Sequence, residues 1–232
     1  MPVLYILGGA NGSGKTTWYN SQVAIGDIAP SIPFVNIDNI VLWELGSYTS
    51  ENLLIGESIA KERMSGYIEK KESFMIESNL SKASDYDWIE RMQRSGYETV
   101  LYFLGTDNVE INKDRVLNRV TQGGHDVAVP IIEQRYRMGL TYLKSKILDF
   151  TEAYIYDSSE KLPKQMAVLK QGQIIECVEE PALWVKETLF IAERLQQKIQ
   201  NLEQSPELKP ENTELLKKLR NVSKGPVLNE LV

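Results

Sequence analysis

The sequence predicts an α/β fold built on a parallel sheet with helices over its faces, and three observations predict it. Short apolar runs of strand length recur at residues 3–7, 34–37, 73–76, 99–104 and 153–156. Segments with apolar residues at helical spacing lie between them. The first run passes straight into a glycine-rich stretch that can open a helix. Alternation of this kind implies parallel strands joined by covering helices, with ligands bound beyond the carboxyl ends of the strands.

The first element is Val3-Leu4-Tyr5-Ile6-Leu7, apolar and partly β-branched as a buried strand requires. After it, Gly9-Ala10-Asn11-Gly12-Ser13-Gly14-Lys15-Thr16-Thr17 completes the pattern G-x-x-x-x-G-K-[ST]. Its glycines let the backbone curl so that successive N–H groups face phosphate oxygens, and the following helix adds its positive end. Ala10, Asn11, Gly12, Ser13, Gly14, Lys15, Thr16 and Thr17 are therefore the expected cradle of a nucleoside triphosphate. Lys15 is expected to reach the β- and γ-phosphates, and the Thr16 hydroxyl to coordinate Mg²⁺.

The second run, Phe34-Val35-Asn36-Ile37, ends at Asp38, and the third, Ser73-Phe74-Met75-Ile76, ends at Glu77. Both acids should stand on the rim that carries the phosphate loop. Asp38 can cap the next helix, but an acid on the second strand facing the phosphates suits catalysis. Helices are expected over 50–70 and 83–95, with Leu53, Leu54, Ile59, Met64 and Ile68 inward on the first. Residues 99–104 and 153–156 complete the parallel strands, the latter ending at Asp157.

Between these two strands, helices over 109–120 and from Pro130 to about 150 flank Gln122-Gly123-Gly124-His125-Asp126. Arg115 and Arg119 share one face of the first. The second is expected to bury Ile131, Tyr136, Leu140, Leu143 and Ile147, with Arg135 beside that stripe. Such a pair forms a lid, about 109–150, whose arginines approach a triphosphate on closure. Beyond Asp157, residues 165–178 suggest a hairpin-like edge turning at Gln171-Gly172-Gln173, and one helix is expected from Pro181 to about Gln204. The domain plan is thus a kinase-like unit over 1–180, then a C-terminal helix and partly flexible tail over 181–232.

Composition narrows the class. A hydrophobic fraction of 42% over 232 residues is enough for a sizeable core. No apolar run approaches the roughly 18 residues of a membrane span, and no basic-then-apolar leader precedes Val3, so a cytoplasmic, membrane-free protein is expected. One cysteine, Cys177, excludes internal disulfides and is expected to pack within a strand. A net charge of −6 argues against nucleic-acid binding. His125 is the sole histidine and supports no metal site by itself, so a lid or nucleotide contact is expected of it. Trp18, Trp43, Trp88 and Trp184 are expected to pack.

Four segments together resemble the zeta toxin family and related P-loop kinases. They are the phosphate loop from Gly8, then Phe34-Val35-Asn36-Ile37-Asp38, then Glu72-Ser73-Phe74-Met75-Ile76-Glu77-Ser78-Asn79-Leu80-Ser81, and finally Arg115 through Gly123-Gly124-His125-Asp126-Val127, followed by Arg135-Tyr136. The set spans about residues 3 to 160. The resemblance implies a kinase-type P-loop NTPase fold with a helical lid and a C-terminal helical extension. It implies ATP-dependent phosphorylation of a hydroxyl, with a sugar nucleotide such as UDP-N-acetylglucosamine as acceptor, and a small helical antitoxin as partner. In that mapping Asp38 is the catalytic base, Glu77, Ser78 and Asn79 belong to the substrate-binding segment, and Arg119 and Arg135 are the lid arginines. The chain departs from the family at Ala128-Val129-Pro130, at Met138 where a second basic residue is frequent, and at Ser78-Asn79 in place of paired threonines.

Two other readings stay open on the sequence. One is a housekeeping metabolite kinase on the same core. The other is a nucleotide-gated interaction protein that hydrolyses ATP and grips a partner through its C-terminal helix.

Overall fold

The computed structural model describes residues 1–122 and 124–203. The tail expected to be flexible therefore lies outside the described residues, as does Gly123. Five strands run parallel: β1 (Val3–Gly8), β2 (Phe34–Val35), β3 (Phe74–Ser78), β4 (Glu98–Gly105) and β5 (Glu152–Asp157). A hairpin of β6 (Lys164–Lys170) and β7 (Gln173–Cys177) extends the sheet antiparallel to β5. The strand order is β2-β3-β1-β4-β5-β6-β7. β1 lies at the interior of the parallel part, between β3 and β4, so the loop that follows it opens at the middle of the rim.

The helices are α1 (Lys15–Ile25), α2 (Ile37–Asn39, continued by a π-turn over Ile40–Glu44), α3 (Ser50–Lys70), α4 (Ala83–Arg94), α5 (Val109–Thr121), α6 (Val129–Lys146) and α7 (Leu183–Glu203). Their starts follow from capping: the Thr49 and Asn108 side chains accept first-turn amides of α3 and α5. Alternation along the strands sends Leu4, Ile6, Phe74, Leu101, Phe103 and Ile155 to one face, where they meet Ala60 of α3, Tyr86 and Ile89 of α4, Leu143 of α6 and Val185 and Leu189 of α7. The opposite face carries a smaller core of Leu7, Met75, Leu104, Ile28 and Trp18. There Trp18 stacks at a tilt on Tyr102, with centroids 4.8 Å apart.

Several expectations need correction. β2 stops at Val35, because Asn36 leaves the strand and caps a helical turn, which puts Asp38 inside that turn rather than at a strand end. On α6 Ile131 faces outward and Ile132, 1% exposed, is buried in its place, because Ile132 rather than Ile131 lies at helical spacing from Tyr136, Leu140 and Leu143; Leu143 and Ile147 are buried as expected. Leu54 and Trp43 are exposed, as is Cys177 on the outer strand of the hairpin. The C-terminal half of α6 is anchored in the main core through Leu143 and Ile147. α7 also belongs to the main core: Trp184 packs on Gly105, where an added Cβ would meet its ring at 2.6 Å.

Candidate active site

The phosphate loop is built by sterics. Gly9 has φ 137° and Gly12 φ 76°, backbone that a side chain disfavours. Space forbids a side chain as well, since a Cβ on Gly9 would lie 2.3 Å from the Leu104 carbonyl oxygen and one on Gly12 2.4 Å from that of Asn112. α1 starts from Gly14 with no side-chain cap and no acid in its first turn. Its free amides and the positive end of its dipole thus remain available to an anion. Ser13 Oγ is buried without a partner among the described residues.

Neighbouring elements brace the loop. Asn112 Nδ2 of α5 donates to the Asn11 carbonyl at 2.6 Å, and Ser158 Oγ, just past β5, donates to the Ser13 carbonyl at 2.7 Å. Arg115 reaches the Gly12 carbonyl at 3.4 Å and the Glu160 carbonyl at 2.9 Å. Lys15 is buried and donates to the carbonyls of Gly9 at 2.7 Å and Ala10 at 3.1 Å, with Glu77 Oε1 3.5 Å away. Burial pushes the Lys15 ammonium down from its ordinary pKa, and the charges of Glu77 and then Asp38 pull it back.

The two acids are held differently. Asn36 accepts the Asn39 amide at 2.9 Å and donates through Nδ2 to Glu77 Oε2 at 2.6 Å, tying the helical turn to β3. Burial raises the Glu77 carboxyl, and Lys15 opposes that shift. Asp38 is more open. Its Oδ1 accepts from the Tyr48 hydroxyl at 3.0 Å, and its Oδ2 lies 3.7 Å from His125 Nε2.

Arg119 and Arg135 lie at the facing ends of α5 and α6, but they engage different partners. Arg119 donates to the His125 carbonyl at 3.1 Å and stands 3.3 Å from its Nε2, while its own Nε is buried and has no partner among the described residues. Arg135 donates to Asn11 Oδ1 at 2.8 Å, so α6 touches the phosphate loop directly. Burial lowers the pKa of His125; the charge of Asp38 opposes this, and those of Arg119 and Arg135 add to it. The ring is therefore neutral at neutral pH. Its Nε2 lies between the Arg119 guanidinium, at 3.3 Å, and Asp38 Oδ2, at 3.7 Å.

Two cavities meet over this ground. One, of about 470 Å³, is lined by Asn11, Gly12 and Gly14 to Thr17 of the loop, by Arg115 and Arg119, and by Ser158 and Lys161 past β5. The other, of about 350 Å³, is lined by Tyr48, Ser78, Asn79, His125 and Arg135. Asn11, Asp38 and Glu77 border both. All the residues singled out as site candidates except Ala10 and Ser13 line one cavity or the other, and those two lie in the loop itself. Sequence reasoning missed Tyr48, Asn36, Asn112 and Ser158. Asn36 alone gave a signal, as a polar residue interrupting an apolar run.

The loop fits a nucleoside triphosphate, through its uncapped helix end, its orphan Ser13 hydroxyl and its buried lysine. Thr16 lines the larger cavity opposite Asp38 and Glu77. That oxygen set suits Mg²⁺, which keeps water and substrate phosphates as most of its ligands.

No protein-family model matches the chain. An uncharacterized protein of Haemophilus influenzae is 29% identical over 133 residues, which is 55% of this chain and 88% of that protein. Among solved structures, the AvrRxo1-ORF1:AvrRxo1-ORF2 complex with sulphate ions contains a chain that aligns with TM-score 0.60 and 17% identity, over 97% of this chain and 77% of that one. The complex with ATP gives 0.58 and 14%, with the same coverage. The PezAT toxin–antitoxin system of Streptococcus pneumoniae gives 0.56 and 17%, over 96% and 87%. The fold of this chain is thus the one shared with the AvrRxo1 and PezAT structures.

Proposed function

We propose that this chain is an ATP-dependent phosphotransferase that moves the γ-phosphoryl group to a hydroxyl of a small molecule. The observation that carries the reading is the pair of cavities with a common border. Donor and acceptor can occupy them with Asp38 between, and positioning of this kind supplies much of phosphoryl-transfer catalysis.

Lys15 and the loop amides would hold the triphosphate. Asp38 would accept the proton of the attacking hydroxyl as the new oxygen–phosphorus bond forms and the bond to the leaving ADP oxygen breaks. Arg119 and Arg135 would neutralise charge on the phosphoryl group in transit. Mg²⁺ held by Thr16 would offset charge on the phosphates. Glu77, fixed by Asn36 and Lys15, would orient the acceptor together with Ser78 and Asn79. We treat the facing ends of α5 and α6 as the moving part and α7 as fixed to the core.

The family resemblance supplies UDP-N-acetylglucosamine as the first acceptor to test. It also supplies a small helical antitoxin, and this part of the reading is supported by the two-component composition of the AvrRxo1 and PezAT systems. The test is incubation with ATP and Mg²⁺ across sugar nucleotides, nucleosides and simple alcohols, read by mass spectrometry. A phosphorylated acceptor, with ATP turnover dependent on it, is the expected result. Turnover that ignores every acceptor and responds only to a protein would replace this reading with a nucleotide-gated interaction protein.

A further inference from the structure

A third cavity, of about 270 Å³, opens beside the acceptor cavity and shares Ile37, Glu77 and Ser78 with it. It is a cleft between α3 and α4 over the end of β3. Its walls are apolar, formed by Met64, Leu80, Trp88 and Ile89. Lys61, Ser84 and Asp85 are its polar residues besides Glu77 and Ser78. Protein interiors leave few voids larger than a water molecule. A cleft this size, sharing a wall with the acceptor cavity, is a built feature rather than a packing fault. Ligand sites are commonly apolar with a few placed polar groups.

The acceptor cavity itself is ill suited to a diphosphate. Its border includes the carboxylates of Asp38, Glu57, Glu77 and Asp126, of which Glu77 is paired with Lys15 at 3.5 Å, against the guanidinium of Arg135, and burial lowers the pKa of His125. Among the described residues neither Glu57 nor Asp126 makes an ion pair. An anionic acceptor would be repelled there.

We infer that the acceptor is a phosphate-free alcohol with an apolar or aromatic arm, its hydroxyl at Asp38 and its arm in the α3–α4 cleft against Trp88 and Met64. The inference rests on the phosphotransferase reading and narrows its substrate class. Glu77, which borders all three cavities, stands where hydroxyl head and apolar arm join.

The test compares matched acceptors: N-acetylglucosamine with its phenyl β-glycoside, glucose with phenyl β-glucoside, propane-1,2-diol with 3-phenylpropane-1,2-diol, and UDP-N-acetylglucosamine as the anionic member. The arm-bearing member of at least one pair should show kcat/KM at least about tenfold higher than its partner, since burial of an aromatic ring is worth that much. Met64→Trp, which fills the cleft, should abolish the advantage. Independently of turnover, the same phenyl compound should quench tryptophan fluorescence in the wild type and lose most of that quench in Trp88→Phe. Equal rates within every pair, or UDP-N-acetylglucosamine as the best acceptor, would overturn the inference while leaving the kinase reading intact. Transfer to no acceptor would count against the kinase reading. In that event a missing Trp88-dependent quench would overturn the cleft assignment, and a clear quench would uphold it.

Discussion

The Tyr48 hydroxyl donates to Asp38 Oδ1 at 3.0 Å while its ring lies flat on His125, with centroids 4.0 Å apart and planes 5° from parallel. Burial first, and the charge of Asp38 second, push the Tyr48 hydroxyl up to about 12, so it remains a donor at physiological pH. One residue thus joins the proposed base to the segment that Arg119 holds. Tyr48→Phe keeps the stack and removes the hydrogen bond. Turnover should fall about tenfold, the low end for a hydrogen bond to a charged group, with KM for ATP unchanged. Unaltered kcat would show that Asp38 is positioned without Tyr48.

Lys15→Ala should abolish transfer and weaken nucleotide binding together, because the triphosphate loses its buried cation. Calorimetric titration with an ATP analogue, beside a turnover assay, separates the two effects. Wild-type turnover in this variant would remove the loop from the mechanism.

Asp38→Asn preserves size and can still accept from Tyr48, but it cannot take up the hydroxyl proton. ATP affinity should hold while turnover drops about 10²- to 10⁴-fold. A drop below tenfold would leave Asp38 a positioning residue.

Arg119→Ala and Arg135→Ala should each lower turnover on the order of 10²-fold, with much smaller effects on nucleotide affinity, as interactions made mainly in the transition state do. Lysine should rescue little, because a point charge does not reproduce the planar fork. Arg135→Ala also frees the Asn11 side chain, so its effect on ATP affinity should exceed that of Arg119→Ala. Loss of affinity alone in both variants would make the arginines ground-state binding groups.

His125 gives a pH signature. Its folded pKa is lowered from 6.5, chiefly by burial, so the unfolded chain binds the proton more readily. The contribution of this group to stability is complete above the unfolded value and declines as pH falls below it. Glu77, Asp85 and Asp149, whose carboxyls burial raises, slope the opposite way. The difference between wild type and His125→Asn isolates the imidazole. Relative to that variant, the wild type should lose thermal stability between about pH 7 and pH 5, read by scanning calorimetry at each pH. A difference that does not change with pH would mean that the ring titrates normally.

What the chain determines locally was legible in the sequence. The phosphate loop is nine consecutive residues, so its chemistry and spacing can be read without a partner. The parallel strands and the helices α3, α4 and α5 follow from periodicity and capping, which act over a few residues. Even Asn36 showed itself, although its effect of ending β2 early and turning Asp38 into a helix was not read from it. Long-range packing decided the rest. Asn112 braces the loop from 101 positions away and Ser158 from 145, and no local pattern encodes either contact. The stack of Tyr48 on His125, the division of Arg119 and Arg135 between different partners, and the apolar cleft beside Glu77 exist only once α3, α5 and α6 have closed around the sheet rim. Burial against neighbours distant in sequence, which propensity cannot anticipate, is the physical reason.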